Sequence, residues 1–433
     1  MNSAALQIEC SDQPLDFCFH ASRPSLLAAA LVDGTLEIHD FADLLDDDEE
    51  DSLLSSTPVH TQLLPTQSGG TKQASCRSVL FTKHGDLYTG GTGGDLAKLD
   101  TEIVCTFTTK TSPKSVLWRI NDAAYNKAAV HVLHEIPENA IANQGLLVSG
   151  DDIGGVRVWD PRLMGTDTAD NKLKKKPTGC LFSWKEHEDY VSSIDHSADG
   201  MTLLSASADG TLCVYDLRMA QQPSVYEKDK IVRRSDVQDD ELLSLKVMKN
   251  GKKVVCGTGM GVLNVWSWGT WGDISDRFPG HPNSLDGLVK VDEDTLLTGS
   301  SDGLIRVVTV HPDKFLGVLG DHEEFPIEKL AFTSDRKYIG SLSHDNLIRL
   351  WDAAILGEDY DGDAKMSAAP TVHVTSEAHS GDEDGWDDVD DDEDMKERST
   401  DDDDSDSSED DDRNEDQRAG RFKTDNEKFF EDL

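Results

Sequence analysis

Apolar and polar positions alternate with a period of two along most of the chain up to about residue 356. Period-two alternation is the signature of half-buried β-strands. The alternation is cut repeatedly by a small turn. The first copy reads Asp33-Gly34-Thr35-Leu36-Glu37-Ile38-His39-Asp40 and the second, degenerate, Gly93-Gly94-Asp95-Leu96-Ala97-Lys98-Leu99-Asp100. Then come Gly154-Gly155-Val156-Arg157-Val158-Trp159-Asp160 and Asp209-Gly210-Thr211-Leu212-Cys213-Val214-Tyr215-Asp216. Met260 to Ser267, Asp302 to Thr309 and Asp345 to Asp352 complete the series. Asp-Gly between alternating runs supplies the positive φ of a tight hairpin. A run of small and apolar residues precedes most turns, as in Thr202 to Ser207 and Leu296 to Ser300, and suits strands crowded near an axis. A further run precedes that one, as in Val191-Ser192-Ser193-Ile194.

The copies close at positions 40, 100, 160, 216, 267, 309 and 352. The last two intervals match the ~40–45-residue period of WD40 units, and the longer ones imply insertions. Three strands and a variable fourth make one propeller blade. The pattern predicts an all-β, seven-bladed WD40 β-propeller over 1–356. Open sheet edges are a hazard, so Leu6 to Cys10 is expected to supply the outer strand of blade seven, with Val372 to Thr375 a weaker competitor. WD blades are stapled by His, Ser/Thr, Asp and Trp. Imidazole donates and accepts together, and a buried indole N–H needs an acceptor. Blade seven offers His322, Ser341 or Ser343, Asp345 and Trp351; blade four offers His187, Ser205 or Ser207, Asp209 and Tyr215; blade six offers His281, Ser300 and Asp302. Ser207, Ser300 and Ser343 are taken as the hydroxyl members. The set recurs at blade spacing, which favours stapling over catalysis.

Charge divides the chain. The net charge is −43, of which residues 357–433 carry −23 and the remainder −20. Low apolar content and high charge predict a disordered acidic tail over 357–433. The tail also lowers the hydrophobic fraction to 37 %, so that figure does not argue against a packed core. No apolar run approaches the ~20 residues of a membrane helix. Met1 to Phe19 lacks a basic region before an apolar core, which argues against a secretory signal. The seven cysteines form no CxxC pair. They suggest neither a disulfide framework nor a zinc site, and they read as small buried hydrophobes in a reducing compartment.

An acidic insertion lies near 42–71, with an unbroken run from Asp46 to Asp51, and reads as a solvated loop. The loop near 163–178 carries Lys172, Lys174, Lys175 and Lys176, a candidate nuclear-import signal in an otherwise acidic chain. In the tail, Ser407 and Ser408 each precede an acidic residue by three positions, as acidophilic kinases require. Trp386, Phe429, Phe430 and Leu433 are candidate partner anchors, the last three in a terminal Phe-Phe-Glu-Asp-Leu.

No P-loop or HExxH motif is present. The chain reads as a non-enzymatic scaffold with no cofactor, metal or small-molecule substrate. The early closing strand, the blade-one segment Leu15 to Pro24, the seven repeats and the tail ending resemble the WD repeat-containing protein 55 family, whose fungal members are nucleolar. The resemblance implies a nuclear, nucleolar factor in ribosome biogenesis and ribosomal RNA processing, with basic pre-ribosomal proteins as partners. Two alternatives come from other classes. Trp159-Asp160-Pro161-Arg162 and Tyr215-Asp216-Leu217-Arg218 match the WDxR pattern of cullin–RING ligase substrate receptors, making Arg162 and Arg218 candidate adaptor contacts. The tail alone would suit an acidic chaperone of basic proteins. The negative body argues against direct nucleic-acid binding.

Overall fold

The alternating runs form strands, and each group of four strands closes into an antiparallel sheet. There are seven such sheets. They come from a computed structural model that describes residues 6–45, 60–63, 75–104, 116–120, 123–138, 145–164, 177–221 and 232–357. The acidic run at 46–51, the lysines at 172–176, Cys105, residues 372–375 and the tail candidates Trp386, Phe429, Phe430 and Leu433 lie outside the described residues. Blade four shows the plan: Val191–His196, Thr202–Ser207, Leu212–Asp216 and Val232–Arg234 pair in sequence order. At its hairpin, Gly210 has φ +74, and a Cβ there would sit 2.7 Å from the Gln238 carbonyl oxygen. Positive φ and tight approach together select glycine.

Blade seven departs from sequence order. Its outer strand is Leu6–Glu9, which pairs antiparallel with Leu347–Asp352. Leu6 faces Leu350 and Ile8 faces Ile348, and the Cys10 N–H donates to the Asn346 carbonyl at 3.0 Å. Leu6 and Ile8 bury against Phe17 and Phe19 of blade one as well as Leu342 and Ile348 of blade seven. One short strand therefore contributes to two blades. The core consists of such inter-blade clusters. Leu297, Ile305 and Val307 of blade six meet Ile327, Ile339 and Trp351 of blade seven.

Every innermost strand carries a register shift at its second residue, in all seven blades. A β-bulge re-aims a side chain and increases local twist. The residues inserted are Leu15, Arg77, His131, Ser192, Leu243, Asp286 and Glu328. Polar side chains just below them join neighbouring blades. Asp16 accepts the N–H of Phe17 at 2.9 Å and of Val79 at 2.8 Å, and also contacts the Lys329 ammonium. Asp195 repeats the device, accepting the N–H of His196 and of Val247, each at 2.8 Å. Small residues next to the axis have a steric cause: a Cβ on Gly150 would lie 2.7 Å from Val191 of the next blade.

The closing strand sets a testable cost. Ile8 is fully buried, and Ile8→Ala is expected to destabilise the protein by about 2–5 kcal/mol. Glu9→Ala, on the exposed side of the same strand, is expected to stay within about 0.5 kcal/mol. Urea unfolding of the two variants checks this.

Candidate functional site: the channel mouth and the blade networks

The seven bulged residues surround one mouth of a central channel. The cavity has a volume of about 620 Å³ and is walled by the innermost strands. Antiparallel order places two sets of connections at this end: the loops entering each first strand and the turns between second and third strands. The ring of bulged residues is electrostatically divided. Arg77 donates to His131 Nδ1 at 3.0 Å on one side. On the other side stand Asp286 and Glu328. Burial pushes the carboxyl of Asp286 up, and partial desolvation followed by repulsion from Asp286 does the same to Glu328. The His344 imidazole, 2.9 Å from Glu328, opposes that rise.

The connections around this mouth are acidic. Glu188 and Asp189 precede blade four, Asp239, Asp240 and Glu241 precede blade five, and Glu323 and Glu324 precede blade seven. Apolar side chains stand exposed among them: Met260 at 73 %, Val237 at 67 % and Phe325 at 44 %. Asp240 fixes the Met260 turn by accepting its N–H at 2.7 Å. Exposed apolar side chains set among like charges are features of a recognition surface.

Between the blades lie the predicted staples. In blade seven, His322 Nδ1 lies 3.0 Å from Asp345 and its Nε2 lies 2.6 Å from Ser341 Oγ, which also accepts the Trp351 indole N–H at 2.8 Å. In blade four, His187 Nε2 lies 2.7 Å from Ser205 Oγ, itself 3.2 Å from the Tyr215 hydroxyl, and His187 Nδ1 lies 3.4 Å from Asp209. In blade six, His281 Nε2 lies 3.0 Å from Thr298 Oγ1, while Arg306 forks Asp302 at 3.0 and 2.5 Å.

The hydroxyl members differ from the expected ones. Ser341 stands in place of Ser343, Ser205 in place of Ser207, and Thr298 in place of Ser300. Residues two apart on a strand share a face, so spacing alone cannot separate them; cross-strand register does. Ser341 sits opposite Arg349, within reach of the indole. Ser207 and Ser300 instead donate to the carbonyls of Asp189 and Asn283, and buried Ser343 Oγ has no partner among the described residues. Blade three carries a staple not anticipated from its repeat, with the Trp159 indole donating to Ser149 Oγ at 2.9 Å and Asp151 accepting the N–H of Gly155 at 2.7 Å.

The two WDxR arginines lie at the opposite end of the ring. Arg162 donates through Nε and Nη2 to both oxygens of Asp160, at 2.9 and 2.6 Å. Arg218 forks Asp216 in the same way at 3.1 Å each. Each planar fork is therefore already matched by a carboxylate of its own turn. Five of the cysteines are buried and Cys180 is half-buried, all as free thiols. Among the described residues, no helix is long and apolar enough to cross a membrane.

Comparison with known proteins agrees with this architecture. The WDR55 family model matches residues 5–356. The chain belongs to the WDR55 family. It is 33 % identical over 348 residues to WD repeat-containing protein 55 of Arabidopsis thaliana, covering 80 % of this chain and 82 % of that protein. It is 33 % identical over 355 residues to WD repeat-containing protein JIP5 of Cryptococcus neoformans, covering 81 % and 82 %. With the Bos taurus WD repeat-containing protein 55 the figures are 30 % over 372 residues, 84 % and 82 %. Among solved structures, Raptor of Chaetomium thermophilum superposes with a TM-score of 0.59 at 15 % identity, over 81 % of this chain and 29 % of that one. That likeness is one of fold. A WDR55-family propeller is a framework for protein–protein contact.

Two outcomes follow for the staples. Ser341→Ala is expected to cost about 1–3 kcal/mol, because it leaves buried partners unsatisfied. Ser343→Ala is expected to be neutral or stabilising, as it removes an unpaired buried hydroxyl; chemical denaturation of both separates the assignments. Burial holds His281 down to about 4 and His134 to about 3. The unfolded chain binds a proton at each below about 6.5 while the folded chain does not, so stability falls as pH drops from about 6.5 toward 4. Each histidine contributes a slope of up to about 1.4 kcal/mol per pH unit. Depressed Asp209, Asp302 and Asp345 add a further loss below about pH 4. Thermal midpoints across pH 3–8 check both windows, with His281→Asn flattening the upper one.

Proposed function

We propose that this chain is an interaction scaffold of the nucleolus that acts in ribosome biogenesis and ribosomal RNA processing by holding basic segments of pre-ribosomal proteins. The observation that carries the reading is the acidic rim of the channel mouth, with Met260, Val237 and Phe325 exposed within it. Lys/Arg-rich segments carrying an occasional apolar residue complement such a rim. Long-range attraction accelerates their encounter, and apolar contact slows their release. Membership of the WDR55 family and the −23 charge of residues 357–433 support the same class of partner. The lysines at 172–176 are the proposed import signal. The ligase-adaptor reading gains no support from Arg162 and Arg218, whose guanidinium groups are matched within the chain.

The test is co-sedimentation of the tagged protein with pre-ribosomal particles, alongside ribosomal RNA processing after depletion. Asp189→Asn, Asp240→Asn and Glu241→Gln combined are expected to lower particle association at least tenfold at low salt while leaving the thermal midpoint unchanged. Absence from particles, with normal processing after depletion, overturns the reading. Full association of the triple variant removes the rim from it.

A further inference from the structure

Blade one lacks the His–Ser–Asp–Trp staple, and the residues standing in its place form a different set. Aligned on Asp345 to Asp352, the blade-one repeat Asp33 to Asp40 puts His39 where Trp351 stands and Glu37 where Arg349 stands. Blades three and six also have arginine at that position, Arg157 and Arg306, so blade one reverses the charge. Register completes the comparison. Ser341 lies opposite Arg349, whereas Ala29 lies opposite Glu37, so the central hydroxyl is missing. The histidine that begins a staple precedes the first strand by four residues in blades four and six, as His187 and His281; in blade one that position is Cys10. Every hydrogen-bonding member except the turn aspartate is thus replaced, and three of the replacements are Cys, Glu and His.

The donor atoms of Cys10, Glu37 and His39 lie within 4.8 Å of one another, and all three residues are buried. His39 Nε2 is 3.2 Å from Glu37 Oε2. The other oxygen, Oε1, is buried with no hydrogen-bond partner among the described residues, on a side chain only 1 % exposed. A buried carboxylate with an orphan oxygen calls for a cation or a donor. The carboxylates of Glu37, Asp345 and Glu9 act on Cys10, so the local field is negative.

We propose that Cys10, Glu37 and His39 form a binding site for a zinc-class divalent cation that staples the closing strand to blade one. Thiolate, imidazole and carboxylate are the ligand types zinc selects, and their atoms stand about 3.3–3.8 Å apart around a tetrahedral ion. The present separations, 3.2 Å between His39 and Glu37 and within 4.8 Å for all three, lie near that spacing. The Cys10 thiol releases its proton to solvent on binding, and the metal–sulfur bond takes its place. Cys10 directly follows the strand that completes blade seven, while Glu37 and His39 belong to the third strand of blade one. A metal there ties the ring shut across its junction, where the other stapled blades use hydrogen bonds. The inference is independent of the proposed ribosomal role.

The test uses the full-length protein, purified under reducing conditions, stripped with chelator and loaded with one equivalent of Co²⁺ or Zn²⁺. Cobalt is expected to give a thiolate-to-metal charge-transfer band. Zinc X-ray absorption is expected to show one sulfur with nitrogen and oxygen scatterers, and the thermal midpoint is expected to rise with zinc concentration. Cys10→Ser and Glu37→Gln are expected to abolish the band, whereas Cys256→Ser retains it. The absorption measurement on unmutated protein keeps the proposal falsifiable if Cys10→Ser does not fold. A folded protein without a sulfur scatterer, or a band that persists in Cys10→Ser, overturns it and leaves a Glu37–His39 ion pair beside a bystander thiol.

Discussion

A ring of sheets has one joint that chain order cannot make. Six blades take their four strands from consecutive sequence, but the seventh would present an open edge after Leu347–Asp352. The strand Leu6–Glu9 covers that edge, and its alternate side chains enter the core shared by blades seven and one. The stability of the whole ring depends on this pairing. Unpaired edge groups would face solvent, and the apolar faces of two blades would lose their cover together.

Inside the ring, cohesion between blades is partly polar. Asp16 and Asp195 accept backbone N–H groups across a blade junction, and Ser192 and Ser244 donate to the carbonyls of Leu242 and Leu285 at 2.6 Å. Backbone groups left over by the bulges find partners in this way. The deeper staples bring the imidazoles of His187, His281 and His322 against the hydroxyl groups of Ser205, Thr298 and Ser341. A buried polar atom left unbonded is costly, which favours changing these residues together. Blade one changes its whole set.

The two ends of the ring differ chemically. At one end, carboxylates and exposed apolar side chains border the channel; at the other, Arg162 and Arg218 are held by their own turn aspartates. A partner approaching the first end meets carboxylates beside exposed apolar side chains. A partner approaching the second meets guanidinium groups whose geometry is already used.

Sequence by itself determined the repeat, the blade count, the turn positions and the origin of the closing strand. All of these are local: period-two alternation and Asp-Gly turns act over a few residues, and an unmatched alternating run before the first repeat has one edge to fill. The identity of the staple hydroxyls was not legible, because Ser341 and Ser343 share a strand face and only cross-strand register brings one of them to Trp351. Nor was the cluster of Cys10, Glu37 and His39. Its members are separated in sequence, and neither spacing resembles a ligand motif. Ring closure, which joins the start of the chain to the hairpin of blade one and the turn of blade seven, brings them together. Hydrophobic pattern is written along the chain, whereas the pairing of buried polar groups is decided only when distant strands meet.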